Sequence, residues 1–317
     1  MADVDVVVNP YAGNVRPGTA WRRRILDEAA SCGARLHEPT NLEQLDQLAR
    51  DFASRESKTP VLFVGGDGTF MRGLSALARA FGDAPLPVLG LVPAGTVGTV
   101  ARNFGLRGAG CARRVIRTAC SKSVGATSGL RTDPHLTLRV CDDSGSAYIG
   151  FIFGAGLVGR FFDVYQRAPR RGLLTAATIA ARVFAGSFVR STFANQVLAP
   201  IRGSIDVDGN AHGGQAWSLI VASVVRDLGL HFLVTYRAAD ANRFHVVASG
   251  LPPRLLGPQM PRVLRGRPLR GEPLVDTLAR SLIVRFAERD AYVLDGDVIR
   301  AQSVTVEAGP VVHLIRP

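Results

Sequence analysis

The chain has 317 residues, which exceeds one typical domain, so we expect two domains that each bury a core. A hydrophobic fraction of 47% argues against a disordered chain, and a formal net charge of +12 favours anionic partners such as phosphates, nucleic acid or an anionic membrane. Nearly all the basic residues are arginine, since Lys58 and Lys122 are the only lysines, and genome composition would explain much of that preference.

Several classes of protein are disfavoured by what the sequence lacks. The four cysteines form neither a CxxC pair nor a zinc-type spacing, so a reducing cytoplasm is the expected location. The first residues, MADVDVVVNP, do not resemble a signal peptide. The longest apolar stretch, Leu173 to Leu198, is interrupted by Arg182 and Arg190 and is not expected to span a membrane. Peripheral association with the inner membrane face is left open.

Apolar runs alternate with helical patterns through the first part of the chain. Strands are predicted at Val4–Val8, Ala34–His37, Val61–Val64 and Val88–Val92. Helices are predicted at Thr19–Ala30, at Leu42–Ala53 with Asn41 as N-cap, from the third strand to about Ala80, through Arg102, and near Cys111–Ala119. Because these strands are apolar throughout, we predict an α/β domain at residues 1–122 with a doubly wound parallel sheet.

The second part of the chain, residues 123–317, is predicted to consist mainly of β-strands. Strands are predicted at Leu136–Val140, Ala147–Phe153, Trp217–Val224, Phe232–Thr235, Phe244–Ala248, Ser281–Phe286, Ala291–Leu294, Ser303–Ala308 and Val311–Ile315. A long helix at Leu173–Val189 interrupts them. The segment Leu251–Pro273 is rich in proline, arginine and glycine and is expected to be a loop or a strand-poor excursion. We predict a mostly antiparallel, β-sandwich-like domain whose last strands could return toward the first domain.

Three of the N-terminal strands end in distinctive loops. They are NPYAG at Asn9–Gly13, GGDGT at Gly65–Thr69 and PAGT at Pro93–Thr96. Ligands bind outside the carboxyl ends of parallel strands, where glycines let backbone N–H groups approach an anion beside a helix N-terminus. Asp67 would repel a phosphate, so its expected uses are to hold Mg²⁺, to accept a ribose hydrogen bond or to accept a proton. One glycine turn is more often structural, but three at one edge favour a phosphate site.

Other motifs carry less weight. There is no Walker A loop, and the GxGxxG pattern GAGLVG at Gly154–Gly159 lies outside the βαβ half without a following ribose-binding acid. We interpret it as a tight turn or a close packing site. The sequence has neither GxSxG nor HExxH, which disfavours the common hydrolases.

In this order and spacing, the loops resemble the diacylglycerol kinase and sphingosine kinase catalytic superfamily, which is related to NAD kinases, and especially its soluble bacterial lipid kinases. The superfamily patterns are NPxSG, GGDGTxNE, PxGTxNDxAR and a late DGE. The counterparts here are Asn9–Gly13, Gly65–Arg72, Pro93–Arg102 and Asp295–Asp297. The resemblance extends over essentially the whole chain.

The resemblance implies an ATP- and Mg²⁺-dependent kinase that phosphorylates the hydroxyl of a diacylglycerol or long-chain base in a cleft between two domains. The residues implied to bind the nucleotide are Asn9, Pro10, Tyr11, Ala12, Gly13, Thr40, Gly65, Gly66, Asp67, Gly68, Thr69, Phe70, Met71, Gly95 and Thr96. Asp297 is implied to accept the proton, with Asp295 and Asp67 supporting the metal or the orientation of the reactants. The metal ligands themselves are not identified. In an extended segment, Asp295 and Asp297 would face the same way. A plain turn between strands is the alternative interpretation of DGD.

Several positions depart from the superfamily patterns. Ala12 replaces a serine, Met71-Arg72 replace Asn-Glu, and Gly98-Thr99 replace Asn-Asp. Asp297 replaces Glu, which withdraws the carboxylate by roughly 1.5 Å, and a displacement of that order can cost about a hundredfold in rate. A nucleotide- or lipid-binding protein without catalysis is therefore the alternative. An NAD kinase-like activity is less favoured, because the second part lacks that family's pattern. A structural Mg²⁺ site, with Asp240 as its only remnant, is not carried over.

The expected partner is a lipid substrate at a membrane surface. The segment Arg167–Phe193 could lie on an anionic surface as a basic amphipathic helix, although a core helix with solvated arginines is equally compatible with the pattern. A second basic run occupies Arg254–Arg270. Nucleic acid is not expected, because no nucleic-acid module is recognised. A homodimer is left open.

Overall fold

The computed structural model describes residues 4–94, 98–107, 110–122, 130–170, 172–189 and 191–317. The chain forms two compact units, Met1–His135 with Val311–Pro317, and Leu136–Pro310. The sequence placed the boundary after Lys122, whereas the first unit extends to His135. The reason is that a short strand that ends at His135 pairs with the last strand of the chain inside the first sheet.

The first unit is built on a mostly parallel sheet. Its strands are β1 (Asp5–Val8), β2 (Arg35–His37), β3 (Val61–Gly65), β4 (Leu89–Pro93), β5 (Thr132–His135) and β16 (Val312–Ile315). Over the described residues the order is β2-β1-β3-β4-β16-β5, and only β5 runs antiparallel to its neighbour. All residues of β1 and β3 are buried. The predicted doubly wound parallel architecture is confirmed.

Five helices accompany this sheet in the described part of the first unit. They are α1 (Ala20–Ser31), α2 (Leu42–Ala53), α3 (Asp67–Phe81), α4 (Thr99–Asn103) and α5 (Cys111–Lys122), with a 3-10 turn at Gly13–Val15. The predicted N-cap of α2 is confirmed, since the Asn41 side chain accepts a hydrogen bond from the Gln44 N–H. Thr19 caps α1 in the same way through the Arg22 N–H.

The second unit contains an antiparallel sheet. Its strands are β6 (Leu138–Asp142), β7 (Ala147–Gly150), β8 (Ile152–Gly156), β9 (Ile201–Val207), β10 (Asn210–Trp217), β11 (Leu219–Ser223), β12 (Phe244–Ser249), β13 (Leu274–Ala279), β14 (Ser281–Leu294) and β15 (Asp297–Ala308). The main order is β13-β12-β11-β8-β14-β15-β6-β7, and β9 links β10 to β14. The first half of β14 pairs with β9 and its last residues pair with β8. The predicted antiparallel second domain is confirmed.

The helices of the second unit are α6 (Leu157–Arg167), α7 (Leu173–Phe188), α8 (Thr192–Val197), α9 (Pro253–Leu256) and α10 (Met260–Val263). Helix α7 was predicted, and α9 and α10 occupy the stretch that we expected to be a loop or a strand-poor excursion. The structure describes Phe232–Thr235 but has no strand there, contrary to the prediction. Positive φ angles at Leu230 and His231 fold that segment into tight turns instead. Among the described residues, no helix combines the length and apolarity that crossing a bilayer requires.

The GAGLVG motif joins β8 to α6 and serves close packing. A Cβ on Gly154 would lie 2.7 Å from the Val158 side chain, and one on Gly159 would lie 2.7 Å from the Ala291 carbonyl oxygen. Gly156 has a φ of +68°, which side chains rarely tolerate. This geometry agrees with the prediction of a tight turn or a close packing site.

The amino end of the first sheet is organised by one buried carboxylate, Asp5. Its oxygens accept hydrogen bonds from Arg35 at 3.0 and 3.1 Å, Arg55 at 2.7 Å and Thr59 at 2.6 Å, and lie 2.7 Å from His37 Nε2. Burial alone would raise the pKa of Asp5, but the hydrogen bonds from His37, Arg35 and Thr59 outweigh burial and hold that pKa well below its usual range. Asp5 therefore ties β1 to β2 and to the connection between α2 and β3.

Replacing Asp5 with Asn is expected to lower the free energy of unfolding at pH 7 by about 3 kcal/mol, because two guanidinium groups lose their buried partner. A depressed carboxyl pKa stabilises the fold above about pH 4, and this stabilisation is lost as the pH falls toward the folded-state pKa. The difference between wild type and Asp5→Asn, measured by urea unfolding, should therefore shrink below about pH 4.

The matched control is Asp46→Asn, which removes a largely exposed ion pair with Arg79 at 2.6 Å. We expect it to cost under about 1 kcal/mol. Equal losses for the two variants would contradict the assignment of Asp5 as the organising group.

Candidate functional site

Four loops lie at one edge of the first sheet, because β1 to β4 are parallel and their carboxyl ends therefore coincide. Backbone hydrogen bonds join the loops, from Asn9 N to the Val64 carbonyl at 3.1 Å and from Ala94 N to the Gly65 carbonyl at 2.8 Å. Of the PAGT loop, Gly95 and Thr96 lie outside the described residues. The NPYAG and GGDGT loops are thus held side by side.

A side-chain hydrogen bond couples these two loops directly. Asn9 Nδ2 donates to Thr69 Oγ1 at 2.8 Å, while Asn9 Oδ1 accepts from the Tyr11 N–H at 2.9 Å. The second contact orients the amide, so that its NH₂ group points at the threonine. A hydroxyl that accepts a hydrogen bond keeps its own proton to donate, so Thr69 is suited to an anionic ligand.

The N-terminus of α3 forms an anion-binding cradle. The helix begins at Asp67, its N-cap is Gly66, and no side chain caps it. The first N–H with an acceptor inside the helix is that of Phe70, which bonds the Gly66 carbonyl at 3.1 Å. The preceding N–H groups point out of the helix, where the helix dipole adds to their attraction for negative charge. A side chain at Gly65 would collide with Thr69, so glycine is required there.

Asp67 makes a contact that the sequence did not predict. Its Oδ2 accepts the Thr99 N–H at 2.6 Å, and the N–H groups of Val100 and Ala101 also bond this carboxylate. Asp67 therefore caps α4 and ties the start of that helix to the GGDGT loop. Burial raises the pKa of Asp67 to about 6, against the lowering effect of these N–H groups and of Arg102.

The other predicted nucleotide residues divide into two groups. Phe70 and Met71 are fully buried, so only their backbone is available to a ligand. Pro10 and Ala12 are half-buried, and Tyr11, Gly13 and Thr40 are exposed; these five residues lie at the carboxyl edge. The N–H and hydroxyl of Thr40 both donate to Gln44 Oε1, at 2.8 and 3.0 Å.

The DGD motif lies in the second unit and forms the turn of a hairpin. Leu294 pairs with Asp297, so Asp295 and Gly296 form a two-residue connection with φ angles of +48° and +94°. The expectation of an extended segment with both carboxylates on one side is therefore wrong. The buried Asp295 carboxylate accepts the N–H groups of Phe151 at 3.0 Å and Ile152 at 2.9 Å.

Asp297 is the first residue of β15 and is half-buried. The turn that precedes it is rigid, because the Asp295 side chain is bonded to β8 and to the residue before β8. Asp295 thus positions the turn, and Asp297 is the remaining acid of the motif. Its predicted role as proton acceptor stays a prediction.

The described residues fit a polyphosphate better than they fit a dedicated metal site. Glycines, outward N–H groups and a threonine hydroxyl line the edge of the first sheet, and these donors suit phosphate oxygens. Among the described residues, no group of three or more His, Cys, Asp or Glu side chains could hold a metal ion. The Asp67 carboxylate is already bonded to backbone N–H groups.

Comparison with known proteins agrees with this geometry. Residues 3–128 match the family model of the diacylglycerol kinase catalytic domain. The resemblance to the diacylglycerol kinase and sphingosine kinase superfamily is confirmed. The matched residues include the carboxyl-edge loops of the first unit, so these loops are similar to those of a diacylglycerol kinase catalytic domain.

Solved structures extend the likeness of fold to the whole chain. A structure described as a diacylglycerol kinase from Bacillus anthracis str. Sterne is 14% identical and has a TM-score of 0.64. Two further structures from that organism, each provisionally described as a diacylglycerol kinase, are 13% and 14% identical with TM-scores of 0.70 and 0.68. Each comparison covers 100% of this chain and 97% of the other. No curated protein sequence matches the chain.

Asp67→Asn is expected to change the pH dependence of stability. A carboxyl pKa raised in the folded state favours folding most below about pH 4, and this contribution falls as the pH rises through about 6. Relative to Asp67→Asn, the wild type should lose on the order of 2 kcal/mol of unfolding free energy between pH 4 and pH 7. Urea unfolding across this range measures the difference. Parallel pH profiles would show that Asp67 does not titrate with a raised pKa.

Proposed function

We propose that this chain transfers the γ-phosphoryl group of ATP to a lipid hydroxyl, such as that of a diacylglycerol or long-chain base. The observation that carries the proposal is the Asn9–Thr69 hydrogen bond at the glycine-flanked N-terminus of α3. It joins two loops into one phosphate-binding edge within the part of the chain that matches the diacylglycerol kinase catalytic domain.

In this proposal the carboxyl edge of the first sheet binds ATP. The outward N–H groups at the start of α3 and the Thr69 hydroxyl would hold phosphate oxygens, and Asn9 would keep Thr69 in position. Thr40, Tyr11 and Gly13 are exposed at the same edge and are available to the rest of the nucleotide. Asp67 acts by holding α4, rather than by touching phosphate.

Mg²⁺ accompanies ATP in the proposal, and its chemistry is to neutralise charge on the phosphates during transfer. The described residues offer no cluster of metal ligands. We therefore assign no protein ligand to the ion and derive no step from it.

Asp297 is the proposed proton acceptor. As the lipid hydroxyl oxygen forms its bond to the γ-phosphorus, the bond from that phosphorus to the ADP oxygen breaks, and the hydroxyl proton passes to the Asp297 carboxylate. Asp295 supports this role, because its bonds to the Phe151 and Ile152 N–H groups hold the turn that precedes Asp297.

The alternative is a protein that binds a nucleotide or a lipid without catalysis. It is favoured by the departures at Ala12, Met71, Gly98 and Thr99, which remove polar groups found in the superfamily patterns. Met71 in particular is fully buried and presents no side chain to a ligand. Incubation with radiolabelled ATP and a panel of lipids separates the two functions, since a binding protein yields no labelled lipid.

Asp297→Asn is expected to lower lipid phosphorylation by about a hundredfold or more, because the amide cannot take the hydroxyl proton. ATP binding, measured by calorimetry, should be nearly unchanged. Glu307→Gln is the matched control, since it neutralises an exposed acid near the other end of β15. Unchanged turnover in Asp297→Asn would remove Asp297 from the mechanism.

Thr69→Val is expected to weaken ATP binding about tenfold, because the isosteric side chain cannot donate to phosphate and leaves the Asn9 amide without its acceptor. Thr69→Ser keeps the hydroxyl and should restore most of the affinity. Calorimetric titration with ATP gives both constants. If valine binds ATP as tightly as threonine, the nucleotide lies elsewhere.

A further inference from the structure

Two cysteines of the first unit meet where α1 ends beside α5. Cys32 is the C-cap residue of α1 and is half-buried, and Cys120 lies in the last turn of α5 and is buried. A side-chain hydrogen bond joins the two thiol groups. Both sulfurs are thiols in this structure. We call the two residues the Cys32–Cys120 pair.

The ion pairs between the same two helices place these cysteines together independently. Glu28 of α1 accepts hydrogen bonds from Arg113 Nε at 2.7 Å and from Arg117 Nη2 at 3.2 Å, both on α5. Cys32 follows Glu28 by four positions, and its N–H bonds the Glu28 carbonyl at 3.2 Å, so it continues the face of α1 that carries Glu28. Cys120 follows Arg117 by three positions on α5. Packing of α1 against α5 therefore brings the thiols together about one turn beyond the ion pairs.

The two thiols have different surroundings. Burial raises the pKa of the Cys120 thiol to about 12, with smaller contributions from Cys32 and Glu28. The largely exposed Arg117 guanidinium interacts electrostatically with Cys32, so a thiolate at Cys32 has a cation beside it. Cys32 is therefore the thiol that a small oxidant in the solvent reaches first.

We propose that Cys32 and Cys120 are a redox-active dithiol, which a hydroperoxide such as hydrogen peroxide converts to a reversible disulfide. A disulfide requires the two sulfurs to be about 2 Å apart, and thiols that already share a hydrogen bond need only a small side-chain movement to reach that distance. In reducing compartments, disulfides between such pairs are usually transient and sense the redox state.

The oxidation takes two steps. The Cys32 sulfur attacks an oxygen of hydrogen peroxide, so that an S–O bond forms and the O–O bond breaks. The departing hydroxide takes the thiol proton and leaves as water, and Cys32 becomes a sulfenic acid. The Cys120 sulfur then attacks the Cys32 sulfur, the S–S bond forms, and the S–O bond breaks. The proton of Cys120 leaves with that hydroxyl group as the second water. The two cysteines are oxidised by two electrons in total, and the peroxide is reduced by two.

The disulfide would fasten two helices that are otherwise joined at the surface by ion pairs. It would close a covalent loop from position 32 to position 120, which contains β2, β3, β4 and the GGDGT loop. Salt weakens the Glu28 ion pairs but leaves a disulfide intact. The inference goes beyond the proposed kinase function, because it holds whether or not the chain turns over ATP.

Peptide mapping by mass spectrometry tests the inference on the folded full chain. After treatment with hydrogen peroxide and alkylation of the remaining thiols, digestion without reductant should give one peptide pair joined through Cys32 and Cys120. Dithiothreitol should return both residues to thiols. Cys111→Ala is the matched control, because it removes another buried cysteine of α5, whose thiol bonds the Arg114 side chain. This variant should form the linkage as the wild type does.

Cys120→Ala tests the order of the two steps and keeps the buried position apolar. Without Cys120, oxidation of Cys32 should stop at the sulfenic acid, so labelling of Cys32 by dimedone should rise about tenfold or more over the wild type. Cys32→Ser should abolish both the linkage and the labelling. Asp297→Asn should form the disulfide as the wild type does, so failure of the kinase proposal leaves this measurement intact.

Three outcomes would overturn the inference. They are oxidation of other cysteines without a Cys32–Cys120 linkage, linkage through Cys111 or Cys141 in equal yield, and equal dimedone labelling of Cys32 in the wild type and in Cys120→Ala. The first two outcomes are read from the wild type alone, so the test does not depend on the folding of any variant.

Discussion

The parallel register of β1 against β3 determines which residues meet at each end of the first sheet. Asp5 pairs with Val61 and Val8 pairs with Val64, so both strands end at the same level. The buried Asp5 carboxylate holds the amino ends of the strands. At their carboxyl ends, Asn9 and Gly65 lie side by side. A shift of one residue would turn the side chains to the opposite faces of the sheet and separate Asn9 from Thr69. The edge to which the proposed function assigns the phosphates therefore depends on a register that is fixed at the opposite end of the strands.

Three carboxylates in the described part of the chain have structural roles. Asp5 gathers side chains at the amino edge, Asp67 caps α4, and Asp295 holds the turn before β15. In each case the acid accepts several hydrogen bonds, which offsets the cost of removing a charge from water. Asp67 and Asp295 have structural partners that account for their presence. They are therefore weaker candidates for a catalytic carboxylate. Asp297 is the acid of the DGD motif to which the proposed function assigns the proton.

The second unit combines a rigid antiparallel sheet with a helix that the sheet only half covers. Its core packs one side of α7 through Ile179 and Val183 and leaves the other side apolar and exposed.

The sequence alone determined the two-part architecture, the parallel first sheet and the three glycine-bearing loops, because hydrophobic period and turn residues are local signals. It also determined that GAGLVG serves packing, from its position outside the βαβ half. It could not show that Asp67 caps α4, that Phe70 and Met71 point into the core, or that Asp295 bonds to β8. Those facts depend on residues far apart in the chain, whose contacts appear only when strands and helices pack together. The exposed face of α7 was undecided for the same reason: the sequence shows an apolar helix with arginines around it, but only the packed structure shows which side the core covers.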